Sequence, residues 1–514
     1  MKKRALISVY NKENVVEFAK ELVEKFDYEI ISTGATHKLL VQNHIDAIDV
    51  SEVTGFSEML NGKVKTLHPN IHAGILANLS NKDEQKQLDD ANIAPISMVV
   101  VNFYPFTEIA QNEEEIENLI KNIDIGGPCM LRAAAKNFER VLPVSSICQY
   151  KNVLKNLEEN NGESTLEFRE ELALEVFRKT SELDVTILNT LGEKFSDDEA
   201  LAGEYFSMIA KKQKDLRYGE NPHQNAAVYS NKSLLDYEIL NGKELSYNNI
   251  MDMTAATNIV SEFYDVCAVA VVKHNTPCGV ALGADINEAY LKAFDCDPIS
   301  AFGGIIAFSQ VVNESVAKHL SSIFLEVIIA PDYTPKALEI LTQKKNLRII
   351  KLNTPLNEYK NYLSKEIKVT PFGTLVQESD TIELNKDTFN VVSKTKPTAE
   401  MIEDMIFAWK VVKHSKSNAI VVAKDFKAFG ISQGQTSRIE AVECALNKAC
   451  DSSKDAVLAS DGFFPAIDNI QAAAQCRIAG IIQPGGSIKD KDVIATADKY
   501  NIVMITTGVR HFRH

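Results

Sequence analysis

AVAVVKHNTPCG, Ala268 to Gly279, is the stretch on which the reading of this chain turns. An apolar, β-branched segment runs into Lys273, His274 and Asn275, and Pro277 and Gly279 then break the pattern. Such a segment reads as a buried strand of an α/β sheet, where ligands sit outside the carboxyl ends of the strands. It delivers a cation, an imidazole and an amide together. Histidine takes or gives a proton near neutral pH, and an adjacent ammonium stabilises developing negative charge. Taken alone, a Lys-His pair fits a plain strand cap at the surface equally well.

Working outward, 514 residues exceed a single hydrophobic core and predict roughly two to four domains. A net charge of -15 argues against nucleic acid or an anionic membrane surface as the main partner. One basic or glycine-rich pocket would still suit a phosphorylated ligand. The eight cysteines form no C-x-x-C pair, which points to reduced thiols in a cytoplasmic protein rather than disulfides or a zinc site. The apolar run at the N-terminus is too short for a secretory signal, and no stretch approaches the ~20 apolar residues of a membrane span.

Residues 1–149 alternate strand and helix signals: strands at 5–9, 28–31 and 96–101, helices at 11–26, 36–43 and 128–137. That alternation predicts a parallel sheet covered on both faces. From 150 to 214 the sequence becomes charged and helical, and reads as a packed helical connector. Residues 215–514 mix strands and helices again, with two similar α/β lobes expected around 268–279 and 418–431.

Three loops of the first domain carry anion-binding residues. Tyr10, Asn11 and Lys12 follow the first strand. Thr33, Gly34, Ala35 and Thr36 follow the second, where hydroxyls, a glycine and free helix N–H groups cradle phosphate or simply cap the helix. Lys63, Val64, Lys65 and Thr66 precede His68 and Pro69. Three such loops favour a nucleotide pocket over three unrelated caps. Asp124 precedes two glycines that let backbone approach a ligand, and it also fits a helix-capping aspartate. Lys136 fits either an acid–base role or a solvated surface.

SVYNK, STGAT, GKVKTLHP, NFYP, DIGGP and RAAAKN, in that order, resemble the inosine monophosphate (IMP) cyclohydrolase domain of the bifunctional purine-biosynthesis family. KHNTPCG, LRYGENPHQ, KSNAI, GQTSRIEA and SDGFFPAIDN resemble its aminoimidazole-carboxamide ribonucleotide (AICAR) formyltransferase domain. The resemblance implies a methylglyoxal-synthase-like α/β sandwich over 1–149, and two cytidine-deaminase-like α/β lobes over 215–514. It implies formyl transfer from 10-formyltetrahydrofolate to AICAR, then closure of formyl-AICAR to IMP with loss of water. A homodimer is implied, with no catalytic metal and room for a structural monovalent cation.

The same resemblance carries residue roles. For formyl transfer, His274 is the base, Lys273 its electrostatic partner, and Asn418 orients the formyl group or the imidazole. Arg217 and Tyr218 hold the nucleotide, Arg438 its phosphate, and Gly303 and Glu326 line the site. Phe463 and Asp468 fit folate recognition, an aromatic face for a ring and a carboxylate for a pterin amine. Gly486, Ser487 and Arg510 complete the set. For ring closure, Lys65, Tyr104, Asp124 and Lys136 form the catalytic group, with Lys136 favoured as proton carrier. Val101, Asn102 and Ile125 join the three loops in binding the ribonucleotide. Ala35 stands where many relatives have glycine, and alanine tolerates positive φ poorly.

A deaminase-like fold usually signals zinc, held by H-x-E and P-C-x-x-C. Here Asn275 and Thr276 follow His274, and Cys278 has no second cysteine three residues on, so zinc deamination is excluded. A methylglyoxal-synthase-like lyase would suit the first domain alone and leave residues 216–514 unexplained, and a regulatory nucleotide-binding module would leave KHNTPCG unexplained.

Overall fold

The structure, a computed structural model, describes residues 2–60, 62–113, 115–195, 205–230, 235–384, 386 and 389–514. It divides into two compact units, Met1–Ile209 and Ala210–His514.

In the first unit five parallel strands form one sheet: β1 (Lys3–Val9), β2 (Tyr28–Ser32), β3 (Ala47–Asp49), β4 (Met98–Asn102) and β5 (Leu142–Val144). Their order is β3-β2-β1-β4-β5. The unbroken apolar runs of β1 and β4 follow from burial on both faces. The chain steps outward from β1 to β3, then restarts at β4 on the other side. The loops after β1 and β4 therefore flank the switch point, where α/β sheets bind ligands. Helices Tyr150–Glu159 and Leu166–Phe195, expected within a connector, are built into this unit. Val153, Leu157 and Leu172 enter the core on one face of the sheet, Ala173 and Val176 on the other. Residues 196–204 of that expected connector lie outside the described residues.

The second unit opens with a hairpin, β6 (Lys211–Leu216) and β7 (Ala226–Ser230), so the sequence expected to end the connector is already a strand. Its main body is a twelve-stranded sheet in two halves. The first half is β8 (Tyr237–Asn241), β9 (Cys267–Lys273), β10 (Thr276–Gly283), β11 (Ile305–Phe308), β12 (Val327–Ala330) and β13 (Arg348–Leu352). A separate hairpin follows, β14 (Lys365–Thr370) and β15 (Gly373–Glu378). The second half is β16 (Asn390–Val391), β17 (Ile420–Lys424), β18 (Lys427–Ser432), β19 (Val457–Ser460), β20 (Gly480–Gln483) and β21 (Val503–Thr506).

The halves repeat one another. One reads β10-β9-β11-β12-β13-β8 and the other β18-β17-β19-β20-β21-β16, with the same sequence of parallel and antiparallel pairings. Antiparallel pairing of β10 with β18 joins them. Alternation along each strand fills two layers: Ala268, Ala270 and Val272 face a core shared by both halves, and Val269 and Val271 face a second core on the opposite side. The two glycines that admit the flanking helices also repeat. A Cβ on Gly279 would lie 2.1 Å from the Ala293 carbonyl oxygen, and one on Gly430 would lie 2.1 Å from that of Ala445. Both obstacles are backbone, so Gly279→Ala and Gly430→Ala are each expected to destabilise the second unit by about 1–3 kcal/mol or more. Thermal unfolding checks this; an unchanged midpoint would show that the helices slide away freely.

One sequence expectation is corrected here. Pro277 and Gly279 do not lead out of the sheet. They lie in β10, with a register shift between them, because His274 and Asn275 alone reverse the chain as a two-residue hairpin.

Candidate active site

In the first unit, side chains lock the loops at the switch point together. Asn102, at the end of β4, accepts the amides of Tyr10 (2.7 Å) and Asn11 (2.9 Å) on Oδ1, and its Nδ2 donates to the Asn11 carbonyl. Tyr10 and Tyr104 face each other with ring centroids 4.9 Å apart, both half exposed. Lys12 curls back to donate to the Tyr10 carbonyl. Thr36 staples the loop after β1 to the helix Gly34–Gln42 through both backbone groups of Val9. Thr33 makes no capping bond to that helix; its hydroxyl meets Ser8 Oγ at 2.7 Å. Simple capping therefore does not account for Thr33. Positive φ falls on Gly34 (+46°), and Ala35 sits inside the helix, so alanine there carries no strain.

The third loop closes over this pocket. Lys65 Nζ lies 3.3 Å from where a Cβ on Gly34 would stand, and Thr66 Oγ1 lies 3.0 Å from one on Gly126. Lys65 also acts electrostatically on Asp124, bringing the expected pair into one field. Asp124 accepts the Gly127 amide at 2.9 Å, so it both caps the helix Gly126–Lys136 and faces the pocket. Burial pushes its carboxyl above the usual carboxylate range, more than the amide and Lys65 pull it down. Ile125 is exposed beside it, Val64 bridges to Met59, and Lys63 is exposed.

Two expected residues stand elsewhere. Val101 has its side chain in the core, leaving only main chain for a ligand. Lys136 is exposed in the last turn of its helix, about 15 Å along the axis from Gly126. The helix thus holds Asp124 and Lys136 at its opposite ends.

In the second unit the strand registers place the expected residues along one edge of the long sheet. Lys273 ends β9. Because β11 runs antiparallel to β9, Gly303 and Gly304 lie beside it at the start of β11, and Glu326 precedes β12. Lys273 Nζ donates to the Phe302 carbonyl at 2.8 Å, and Gly303 (φ +73°) donates its amide to the Phe324 carbonyl. Glu326 pairs with buried Arg348 at 2.6 Å. The sequence pointed to carboxyl ends of strands, whereas β11 and β12 present amino ends here; the antiparallel turn of β9 is the reason.

Since β10 and β18 are antiparallel, the same edge carries the end of β18 and, through Ile420 opposite both Ser432 and Ser460, the start of β17 and the end of β19. Asn418, Asp461 and Phe463 therefore share the edge with His274, followed by Gly486 and Ser487 after β20 and Arg510 after β21. Gln433 Nε2 donates to the Pro277 carbonyl at 3.4 Å across the two halves.

Arg438 is not free at this edge. Its guanidinium is buried, donating to Asp461, to the Ala419 carbonyl and to Asn418 Oδ1 (2.7 Å). Asn418 Nδ2 in turn donates to the Gln435 carbonyl at 2.9 Å. A phosphate at Arg438 would compete with those acceptors, so the geometry makes it a brace for Asn418. Asp461, fully buried and also accepting Ser417 Oγ and the Ala419 amide, is a residue that sequence reasoning missed. The motif SDGFFPAIDN held it, but only the fold reveals its contacts. Phe463 is exposed, Asp468 opens the helix Asp468–Gln475, and the Arg510 guanidinium stacks 4.3 Å from the Phe512 ring. Gly486 (φ +96°) donates its amide to Asp490, and Ser487 Oγ accepts the Lys489 amide. Arg217 donates to the Tyr218 hydroxyl at 2.7 Å.

A family model described as AICARFT/IMPCHase bienzyme matches residues 134–448, and one described as MGS-like domain matches 14–129. A curated relative from Caldicellulosiruptor saccharolyticus, "Bifunctional purine biosynthesis protein PurH", is 50% identical with all of both chains covered. The chain belongs to the AICARFT/IMPCHase bienzyme family. A Bacillus cereus relative of the same description is 48% identical, again over the whole of both chains. A solved structure titled "Crystal structure of ForH" is 30% identical over 37% of this chain and 100% of that one, with a TM-score of 0.34. As a member of this family the chain is a bifunctional enzyme of purine biosynthesis, a formyltransferase with a folate-type donor and an IMP cyclohydrolase. No helix among the described residues is long and apolar enough to cross a membrane.

Proposed function

We propose that the edge running from Glu326 through His274 to Arg510 is the formyltransferase site and that the pocket of Lys65 and Asp124 is the cyclohydrolase site. The alignment of Lys273, His274, Asn418 and Phe463 on one sheet edge carries this reading. The AICAR amine is conjugated with its ring and carboxamide, so it attacks poorly. His274 removes its proton as the new C–N bond forms to the formyl carbon of 10-formyltetrahydrofolate. Lys273, tethered to Phe302, stabilises the tetrahedral oxyanion. The bond to the folate nitrogen then breaks, and the proton passes to that nitrogen. Asn418, braced by Arg438, orients the formyl group. Phe463 and Asp468 take the pterin.

Ring closure needs the carboxamide nitrogen held against the formyl carbon, so positioning supplies much of the rate. Asp124 takes the proton from the carboxamide nitrogen as the C–N bond forms, Lys65 balances the developing oxyanion, and Asp124 returns the proton to that oxygen. The C–O bond then breaks and the hydroxyl leaves as water with the proton of the former formamide nitrogen, while Tyr10 and Tyr104 flank the purine base. The loops at Lys12, Thr33 to Thr36 and Thr66 hold the ribose phosphate. Lys136 contributes at most from a helix length away.

The two halves of the second unit are read as deaminase-like lobes without the zinc ligands, supported by their shared strand order. Eight free cysteines fit a cytoplasmic setting. A homodimer is supported by the β14–β15 hairpin. It forms its own two-stranded sheet, and Phe372 at its tip is fully exposed. An isolated hairpin is marginal in water, and a second copy of the chain would cover it. Val369→Asp with Phe372→Asp is expected to convert a dimer to a monomer in sedimentation; an unaltered dimer would remove the hairpin from the interface.

The test of the whole reading gives purified enzyme AICAR and 10-formyltetrahydrofolate and identifies products by mass spectrometry. IMP with tetrahydrofolate is expected. Accumulated formyl-AICAR would sink the cyclohydrolase assignment, and no product from folded protein would sink both.

A further inference from the structure

We propose that Asp252, in the middle of the helix Tyr247–Ser261, is the positioning residue for His274, an inference that rests on His274 being the base of formyl transfer. His274 and Asn275 form a two-residue turn in which both φ angles are positive, 55° and 63°. Such turns favour Asn-Gly, and His274 and Asn275 belong to the few non-glycine residue types that adopt positive φ with any frequency. Asp252 Oδ1 accepts the Asn275 amide at 2.5 Å, and His274 acts electrostatically on the same carboxylate. The carboxylate thereby fixes the turn and faces the imidazole with its charge. Burial pushes the Asp252 carboxyl above its ordinary range, more than the Asn275 amide and the neighbouring His274 pull it down.

The internal repeat supplies a control within the same molecule. Asp404 occupies the matching place on the helix Ala399–Lys413 and accepts the amides of Asp425 (3.0 Å) and Phe426 (2.9 Å), a turn with φ of 51° and 56°. The device is the same, but that turn carries no histidine and lies at the opposite edge of the sheet. Asp252 differs in what it holds. One turn earlier on its helix, Asn248 donates to the Glu220 carbonyl at 3.2 Å, so the same helix face also ties down the loop of Arg217 and Tyr218. A single rigid helix thus fixes the spacing between the base and the nucleotide-binding loop.

Asp252→Asn in the full-length enzyme keeps the shape and removes the charge. Formyl transfer is expected to lose ten- to a hundredfold in kcat, with KM for AICAR within twofold and ring closure of supplied formyl-AICAR unchanged. Asp404→Asn is expected to lower the unfolding midpoint comparably while leaving kcat for formyl transfer within twofold. Equal loss of kcat in both variants would overturn the proposal, since the role would then be structural; so would a normal kcat in Asp252→Asn. If Asp252→Asn does not fold, Asp252→Glu, with the charge displaced by one methylene, takes its place under the same criteria. His274→Ala, assayed in parallel, separates the two claims. If it retains formyl transfer, the base assignment itself fails. If it is inactive while Asp252→Asn is normal, only the role of Asp252 falls.

Discussion

His274→Ala is expected to abolish formyl transfer while ring closure of supplied formyl-AICAR proceeds at the wild-type rate. The expected loss is what a general base supplies, about 10²- to 10⁴-fold in kcat. The amine cannot keep its proton through attack, and the other side chains at this edge are poor substitutes. Lys273 is tethered to the Phe302 carbonyl, and Asn418 is engaged by Arg438 and by Gln435. Folding should survive, because the His274 side chain is exposed and the turn is held through the Asn275 amide. Steady-state assay of both half-reactions on one preparation reads the result directly. Loss of both activities in a folded variant would mean that the two sites are not separable as assigned.

Lys65→Ala and Asp124→Asn are expected to do the reverse, costing ring closure about 10²-fold or more each and leaving formyl transfer intact. Lys136→Ala is expected to cost clearly less than either, since its place at the far end of the helix Gly126–Lys136 keeps it from Asp124. A Lys136→Ala variant as impaired as Asp124→Asn would show that the loops rearrange around bound nucleotide. The pH profile offers a second reading. Burial raises the carboxyl of Asp124, so the acid limb of ring closure should lie above the ordinary carboxylate range. Asp124→Asn should abolish that limb. An acid limb at the usual carboxylate position would remove Asp124 as the base.

Much of this was legible in the sequence because strand and loop chemistry are local. The buried strands expected around 5–9 and 96–101, and the run from Ala268, announce themselves through near-continuous apolar sequence, and the loops that follow carry the polar residues. What was not legible depends on register between distant strands. Nothing near Asp252 or Asp461 marks either as more than a helix or loop aspartate. Each acquires meaning only when β9 and β17 bring a turn or an asparagine to it. The bracing contacts of Arg438 were not legible for the same reason, as its acceptors Asn418 and Asp461 are remote in sequence. Two similar lobes are expected from the sequence around 268–279 and 418–431, but their matching strand order and helices were not legible there. Helix Ala399–Lys413 and helix Tyr247–Ser261 share the role of an aspartate and little visible sequence.

The pairing of β10 with β18 also orders events during synthesis. Ala281 meets Lys427 only after the intervening chain has been made, so each half can close its own local pairings before the two join. The first unit is complete once Ile209 has emerged, whereas the edge bearing His274 also draws on strands as late as β21 (Val503–Thr506). On a translating ribosome, the pocket proposed for ring closure therefore has its chain available well before the edge proposed for formyl transfer.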